Sequence, residues 1–347
     1  MRCARGGPVR LARRIGGLGV GMARVGLILI VALGVLLTLA LRTGTGYAAE
    51  VDFGTWLAGV RQEAIGQGLR PQSVTQALAG VHQIDRVLEL DRHQPETTLT
   101  FEQYINLVVS QQRAQEGRQR LSENRALLEQ VSRRFGVQPR FIVALWGIES
   151  NYGKGSGDFP EISALATLAY DGRRSAYFRK ELMAAIKIVD QGWVRPEDML
   201  GSWAGAMGQC QFMPSSYLQF AVSYNDDGRR DIWHRREDIF ASIANYLARS
   251  GWHGDETWGR RVFLPAGFDA GLAGLNTKKP LTEWQRLGVR PLDGRNLATS
   301  EREASLVLPD GPGGQALLAF SNFRATLKWN NSSYFAAAVG YLADAVE

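Results

Sequence analysis

Apolar residues recur at helical spacing over most of the chain between Val51 and Leu247. Phe101, Ile105 and Val108 fall on one face, and Leu121, Leu128 and Val131 do so more loosely. Pro139 suits the first position of a helix running to about Glu149, and Pro214 the opening of another through Tyr217, Leu218 and Ala221. Ile239 to Leu247 reads as a buried helix, with Gly251 near its end. From Trp252 to about Gly314 the pattern changes. Gly, Pro and Asp rise, and Arg261–Leu264 and Ser305–Leu308 read as strands or extended loops. Phe335 to Val346 closes the chain as an apolar helix. The pattern predicts a mainly α protein. Its α-rich core spans about 100–250 and 315–347, and a small irregular or β insert spans about 252–314, all within one domain over 50–347.

Composition narrows the class. The 347 residues are 45% hydrophobic and 21% charged, which excludes disorder, collagen and a disulfide-dense mini-protein. The formal charge of +6 points to an acidic partner only until it is located. Residues 1–49 hold seven Arg and no acid, which leaves 33 basic against 34 acidic residues beyond them. The body therefore makes no electrostatic case for nucleic acid. The Arg belong to a targeting segment: Arg24, the apolar run Val25–Leu41, then small residues to Ala49. That order is a secretory signal, and an uncleaved membrane anchor is the alternative reading of the same run. Met22 offers a second start with the same three parts. Export to the periplasm follows, with any membrane contact confined to this segment. Cys210 would then be the lone cysteine of the mature chain, a small buried hydrophobe.

One carboxylate stands where an apolar residue is expected. Ile142, Leu145, Trp146 and Glu149 share a helical stripe, so Glu149 faces the core in the last turn before Gly153. Desolvation and the negative end of the helix dipole both disfavour its ionised form. A carboxyl kept protonated near neutrality is a general acid. A frayed end pointing at solvent is the structural alternative. The stretch Gly201–Tyr217 sets three glycines among Ser202, Gln211, Trp203 and Phe212. Close backbone approach with amide, hydroxyl and aromatic groups suits a sugar, and a tight helix crossing would need the same small residues.

Trp146-Gly-Ile-Glu-Ser-Asn-Tyr-Gly153, Ser202–Ser216, Ile243-Ala-Asn-Tyr-Leu247 and Trp329-Asn-Asn-Ser-Ser333, in that order, closely resemble the lytic murein transglycosylase B family. The resemblance spans about Tyr104 to Val346. It implies a lysozyme-like α-rich core that cleaves peptidoglycan between N-acetylmuramic acid and N-acetylglucosamine, working as a monomer on glycan strands with no required cofactor. It implies that Glu149 is the essential carboxyl. Substrate-site positions would be Ser202, Gln211, Tyr246 and Asn330, with Tyr104, Arg174, Tyr177 and Trp329 beside them. A single acid suffices if the muramic 6-hydroxyl closes on its own anomeric carbon, giving a 1,6-anhydro end. Asp158 and Glu161, the nearest candidates for a second acid, read as loop surface. A hydrolytic muramidase would need such an acid, and a non-catalytic wall-binding protein would not need Glu149.

Two departures from the family pattern bear on the site. Trp329 stands where Tyr is expected, keeping a stacking face but losing a hydroxyl. Ser223–His234 resembles the family's EF-hand-like loop, with Asn225, Asp227 and Asp231 as calcium ligands. Ser223 and His234 replace its first and last carboxylates, so calcium is expected to bind weakly or not at all. Glu237 and Asp238 stand in the next turn as substitutes.

Overall fold

The computed structural model describes residues 51–92, 99–297 and 300–347. The signal or anchor expected over 1–49 lies outside them. The helix Pro139–Ser150 is the axis of the body. Pro139 supplies the fixed φ of its first turn, and every residue from Phe141 to Gly147 is buried. A helix apolar on all sides needs neighbours on all sides. These are the helices Gln111–Glu123, Arg125–Phe135, Arg236–Arg249 and Ser333–Val346. On the last of these Gly340 packs against Trp258, where a Cβ would collide with the indole. Trp258 Nε1 also donates to Asp344 on the same helix at 2.9 Å.

The sequence pattern and the structure differ at three places. Leu121 and Leu128 do not share a helix, because the chain breaks at Asn124 (φ −109°, ψ 15°), which caps one helix and opens the next. The helical body starts earlier than about residue 100. Helices Phe53–Gly66, Pro71–Ala77 and Asp85–Arg92 bury Val60, Ala64, Val74 and Val87 in the same core.

The third difference concerns the insert. It forms a five-stranded antiparallel sheet in the order Lys279–Pro280, Glu303–Val307, Ala316–Ala319, Gly259–Phe263, Arg290–Pro291. The strand Ala316–Ala319 lies past Gly314, so the sheet outlasts the change in composition. All four of its residues are buried, which hides the alternation a half-exposed strand would show. Leu317 and Ala319 point into the helical core, whereas Ala316 and Leu318 join a second cluster around Trp284, Leu306 and Phe320. This one strand therefore belongs to both cores.

Candidate active site

The end of the Pro139–Ser150 helix is built by a chain of specific contacts. Asn151, Tyr152 and Gly153 take left-handed φ values of 48°, 60° and 86° in succession. Such a run is costly for the two non-glycine residues and needs support. Tyr152 folds back against Gly147, where a Cβ would sit 2.6 Å from its ring, and its hydroxyl donates to the Arg113 carbonyl at 2.8 Å. Ser150 Oγ donates to the Trp146 carbonyl and accepts from Gly153 N. Gln209 bridges the turn to the rest of the site. Its Oε1 accepts from Trp146 Nε1 at 2.9 Å and its Nε2 donates to the Trp233 carbonyl at 2.6 Å. A side chain at residue 153 would collide with Gln209, so this position needs a glycine for space as well as for its φ.

Glu149 is thereby held at the edge of the core. Ile142, Leu145 and Trp146 of its stripe are fully buried, while Glu149 keeps partial exposure. Burial of its carboxyl raises the pKa to about 8, opposed by a hydrogen bond from Trp329. That bond runs from Trp329 Nε1 to Glu149 Oε1 at 2.7 Å. The hydroxyl missing at position 329 is thus replaced by an indole N–H, a donor role that a stacking face alone does not suggest. With Oε1 accepting, Oε2 is the oxygen placed to carry the acidic proton.

The aromatic side of the site surrounds this pair. Trp329 packs against Tyr246 (ring centroids 4.6 Å apart) and Phe212 (5.2 Å). The Tyr246 hydroxyl donates to the Lys328 carbonyl at 2.5 Å, fixing the end of the helix Ser321–Trp329. Asn330 is the exposed cap of that helix. Tyr104 lies within the field of Glu149, whose charge, after burial, helps to raise its pKa. Its ring meets Tyr334 at 5.5 Å, and Tyr334 in turn donates to Asp310, which caps the Phe101 helix by accepting from Phe101 N. Tyr334 and Asp310 carry no motif of their own, and neither stands out along the chain.

Ser202 and Gln211 shape the facing loop. Ser202 N donates to the Ala206 carbonyl, and Ala206 N donates to Ser202 Oγ at 3.1 Å. Gln211, at a φ of 50°, spends its amide N–H groups on the carbonyls of Ser156, Ala206 and Gly208. Arg174 and Tyr177 sit farther along. Arg174 pairs with the buried Asp91 at 2.5 Å alongside Arg173, and Tyr177 is about half exposed. The two guanidinium groups hold the Asp91 carboxyl below its usual range against the opposing effect of burial. Two cavities, of about 740 and 550 Å³, lie against the sheet at Phe263 and against Trp193, and Glu149 lines neither.

The reading of Glu161 as loop surface is corrected. Asp158 is exposed, but Glu161 opens the helix Glu161–Tyr170 and is fully buried. Its carboxyl lies under the site loop, where a Cβ on Gly201 would collide with Oε2. Neither oxygen has a hydrogen-bond partner among the described residues. Burial first, and then the charge of Glu181, raise its pKa well above the ordinary value. The short strand pair Phe159–Pro160 and Leu200–Gly201 pulls it inward, with Glu161 N donating to the Met199 carbonyl. Sequence gave no sign of that pairing, because two-residue strands have no periodicity to read. Cys210 is buried as expected, its Sγ 3.6 Å from the Ile239 carbonyl.

Two of the expected calcium ligands are already engaged within the loop. Asp231 Oδ1 accepts from Trp233 N and His234 N, and Asp227 Oδ1 from Ser223 Oγ and Arg229 N. Among the described residues no group of three or more His, Cys, Asp or Glu is arranged to hold a metal.

This fold is that of the lysozyme-like lytic transglycosylases. Residues 52–344 match the family described as "Transglycosylase SLT domain", and the chain belongs to it. It is 30% identical to membrane-bound lytic murein transglycosylase B of Escherichia coli (strain K12), over 80% of this chain and 79% of that protein. Its structure matches that of SltB3 from Pseudomonas aeruginosa in complex with NAG-anhNAM-pentapeptide. There the TM-score is 0.82 at 46% identity, over 85% of this chain and 79% of the other. It also matches the Escherichia coli lytic transglycosylase Slt35 in complex with calcium, with a TM-score of 0.69 at 29% identity, over 84% and 92% of the two chains.

Proposed function

We propose that this enzyme cleaves the β-1,4 bond between N-acetylmuramic acid and N-acetylglucosamine in periplasmic peptidoglycan, without water, leaving 1,6-anhydro ends. The observation that carries the reading is the placement of the Glu149 carboxyl, half-buried at the end of its helix and held by Trp329 Nε1, where burial pushes its pKa up to about 8. Glu149 Oε2 gives its proton to the leaving oxygen. The resulting carboxylate, steadied by the indole N–H, then takes the proton of the muramic 6-hydroxyl as that oxygen closes on its own anomeric carbon. Ser202, Gln211, Tyr246, Asn330 and Tyr104 line the glycan path, with Arg174 and Tyr177 at its far wall. The chain reaches the periplasm through its N-terminal segment and acts there as a monomer.

A hydrolase on this scaffold would need a second carboxylate at the reacting carbon. Glu161 is not placed for that work, since it is sealed beneath Gly201 and its charged neighbour is Glu181 rather than Glu149. Mass spectrometry of digested sacculi tests the proposal. Products lighter by one water than their reducing-end counterparts are expected. Reducing ends alone would move the assignment to a hydrolase, and intact glycan would remove the activity.

A further inference from the structure

The loop Ser223–His234 keeps the outline of a cation site but contains a cation of its own. Arg235, the residue before the helix Arg236–Arg249, turns its guanidinium back into the loop. Its Nη1 donates to Asp227 Oδ2 at 2.8 Å and lies 3.6 Å from Asp238 Oδ2. Asp238 is fully buried, and its two oxygens also accept from Tyr224 N at 2.8 Å and Asp231 N at 3.0 Å. Asp227 Oδ1 is taken up by Ser223 Oγ and Arg229 N. A second guanidinium, Arg134, reaches the loop from a neighbouring helix, donating to the Tyr224 carbonyl and facing Asp226 at 3.6 Å.

Oxygen-ligated calcium needs several converging oxygens and enough negative charge to offset two positive ones. Here Ser223 and His234 stand where carboxylates are expected, and the charges of Asp227 and Asp238 are met by Arg235. A calcium ion entering between them would face that guanidinium at close range. The residues present therefore do not fit the metal.

We propose that Arg235 is the resident cation of this loop, bridging Asp227 and Asp238 where a calcium ion would otherwise join them, so that the loop and the site it supports are ordered without divalent metal. The bridge matters because the loop supports the active site. Gln209 N donates to the Ile232 carbonyl and Gln209 Nε2 to the Trp233 carbonyl, while Trp233 Nε1 donates to the Leu200 carbonyl at 2.7 Å. Gln209 then holds Trp146 on the Glu149 helix. An opened loop would loosen both walls of the site.

The test uses the mature chain, stripped with EDTA and then supplied with millimolar calcium chloride. Wild type is expected to show the same melting temperature in both conditions and no calorimetric binding. A rise in melting temperature with calcium, or its fall in EDTA, would overturn the proposal. Arg235→Met, which removes the charge and keeps much of the stem, should lower the melting temperature in EDTA by about 2–4 °C. Arg235→Lys should recover most of that loss, because a point charge still reaches Asp227. A Met variant as stable as wild type, or a Lys variant no better than Met, would show that the charge at residue 235 is not what closes the loop. These readings need no glycan, so they stand or fall separately from the assigned reaction.

Discussion

Glu149 and Glu161 are both carboxyls that burial drives toward the neutral form. Glu149 keeps an exposed edge and one indole donor, so its proton has somewhere to go and its conjugate base has a partner. Glu161 is sealed, has no donor among the described residues and lies near a second acid, Glu181, whose oxygens already accept from Ser215 N and Oγ. Desolvation alone yields a neutral acid. A usable general acid also needs a route to the substrate and something to hold the anion.

The sharpest challenge to that contrast is a pair of isosteric changes. Glu149→Gln should slow turnover at least ~10²-fold, the low end for a lost acid–base group, in a folded protein that still binds glycan. Glu161→Gln should leave the rate within about twofold of wild type, since no proton transfer is assigned to it. Equal damage from both, measured as anhydro-product release, would dissolve the distinction. The donor can be tested next. Trp329→Phe keeps the ring and removes the N–H, so the pKa of Glu149 should rise and the rate should fall about tenfold, the scale of one charge-assisted hydrogen bond. In wild type kcat/KM should decline above about pH 8, and in Trp329→Phe that limb should move to higher pH. An unmoved limb would mean that the indole does not tune the carboxyl.

Stability supplies the most specific effect. An acid whose pKa is higher in the folded than in the unfolded chain takes up a proton on folding between those two values, so stability falls as pH climbs through that window. For Glu149 the window runs from 4.5 to about 8. The melting temperature of Glu149→Gln should therefore match wild type near pH 4 and exceed it by a growing margin up to about pH 8. Thermal melts across this range decide the point, and a constant offset would show that burial does not set the shift.

The helical body was legible in the sequence because its signals are local. Pro139, the Ile142–Leu145–Trp146 stripe and the run Ile239–Leu247 declare their helices by spacing alone. Glu149 was legible as an acid on an apolar stripe. The parts that stayed hidden depend on distant segments. Nothing near Trp329 states that its indole reaches Glu149, and nothing near Glu161 shows that a two-residue strand draws it under Gly201. The end of the insert was misplaced for a related reason, since a strand buried on both faces looks like any short apolar run. Arg173 and Arg174 resemble a solvated basic pair until Asp91 appears between them.

The bond from Trp329 to Glu149 joins residues 180 positions apart, with the helix Ser333–Val346 still to follow. Glu149 is made before the chain is half complete, and its partner arrives almost last. A chain that has emerged only as far as Leu327 holds Glu149 with no indole beside it, and its central helix lacks the packing partner that Ser333–Val346 provides. Until nearly the whole chain has been made, Glu149 lacks both its indole donor and the helix that packs against its own, and prematurely ended or clipped chains never gain them.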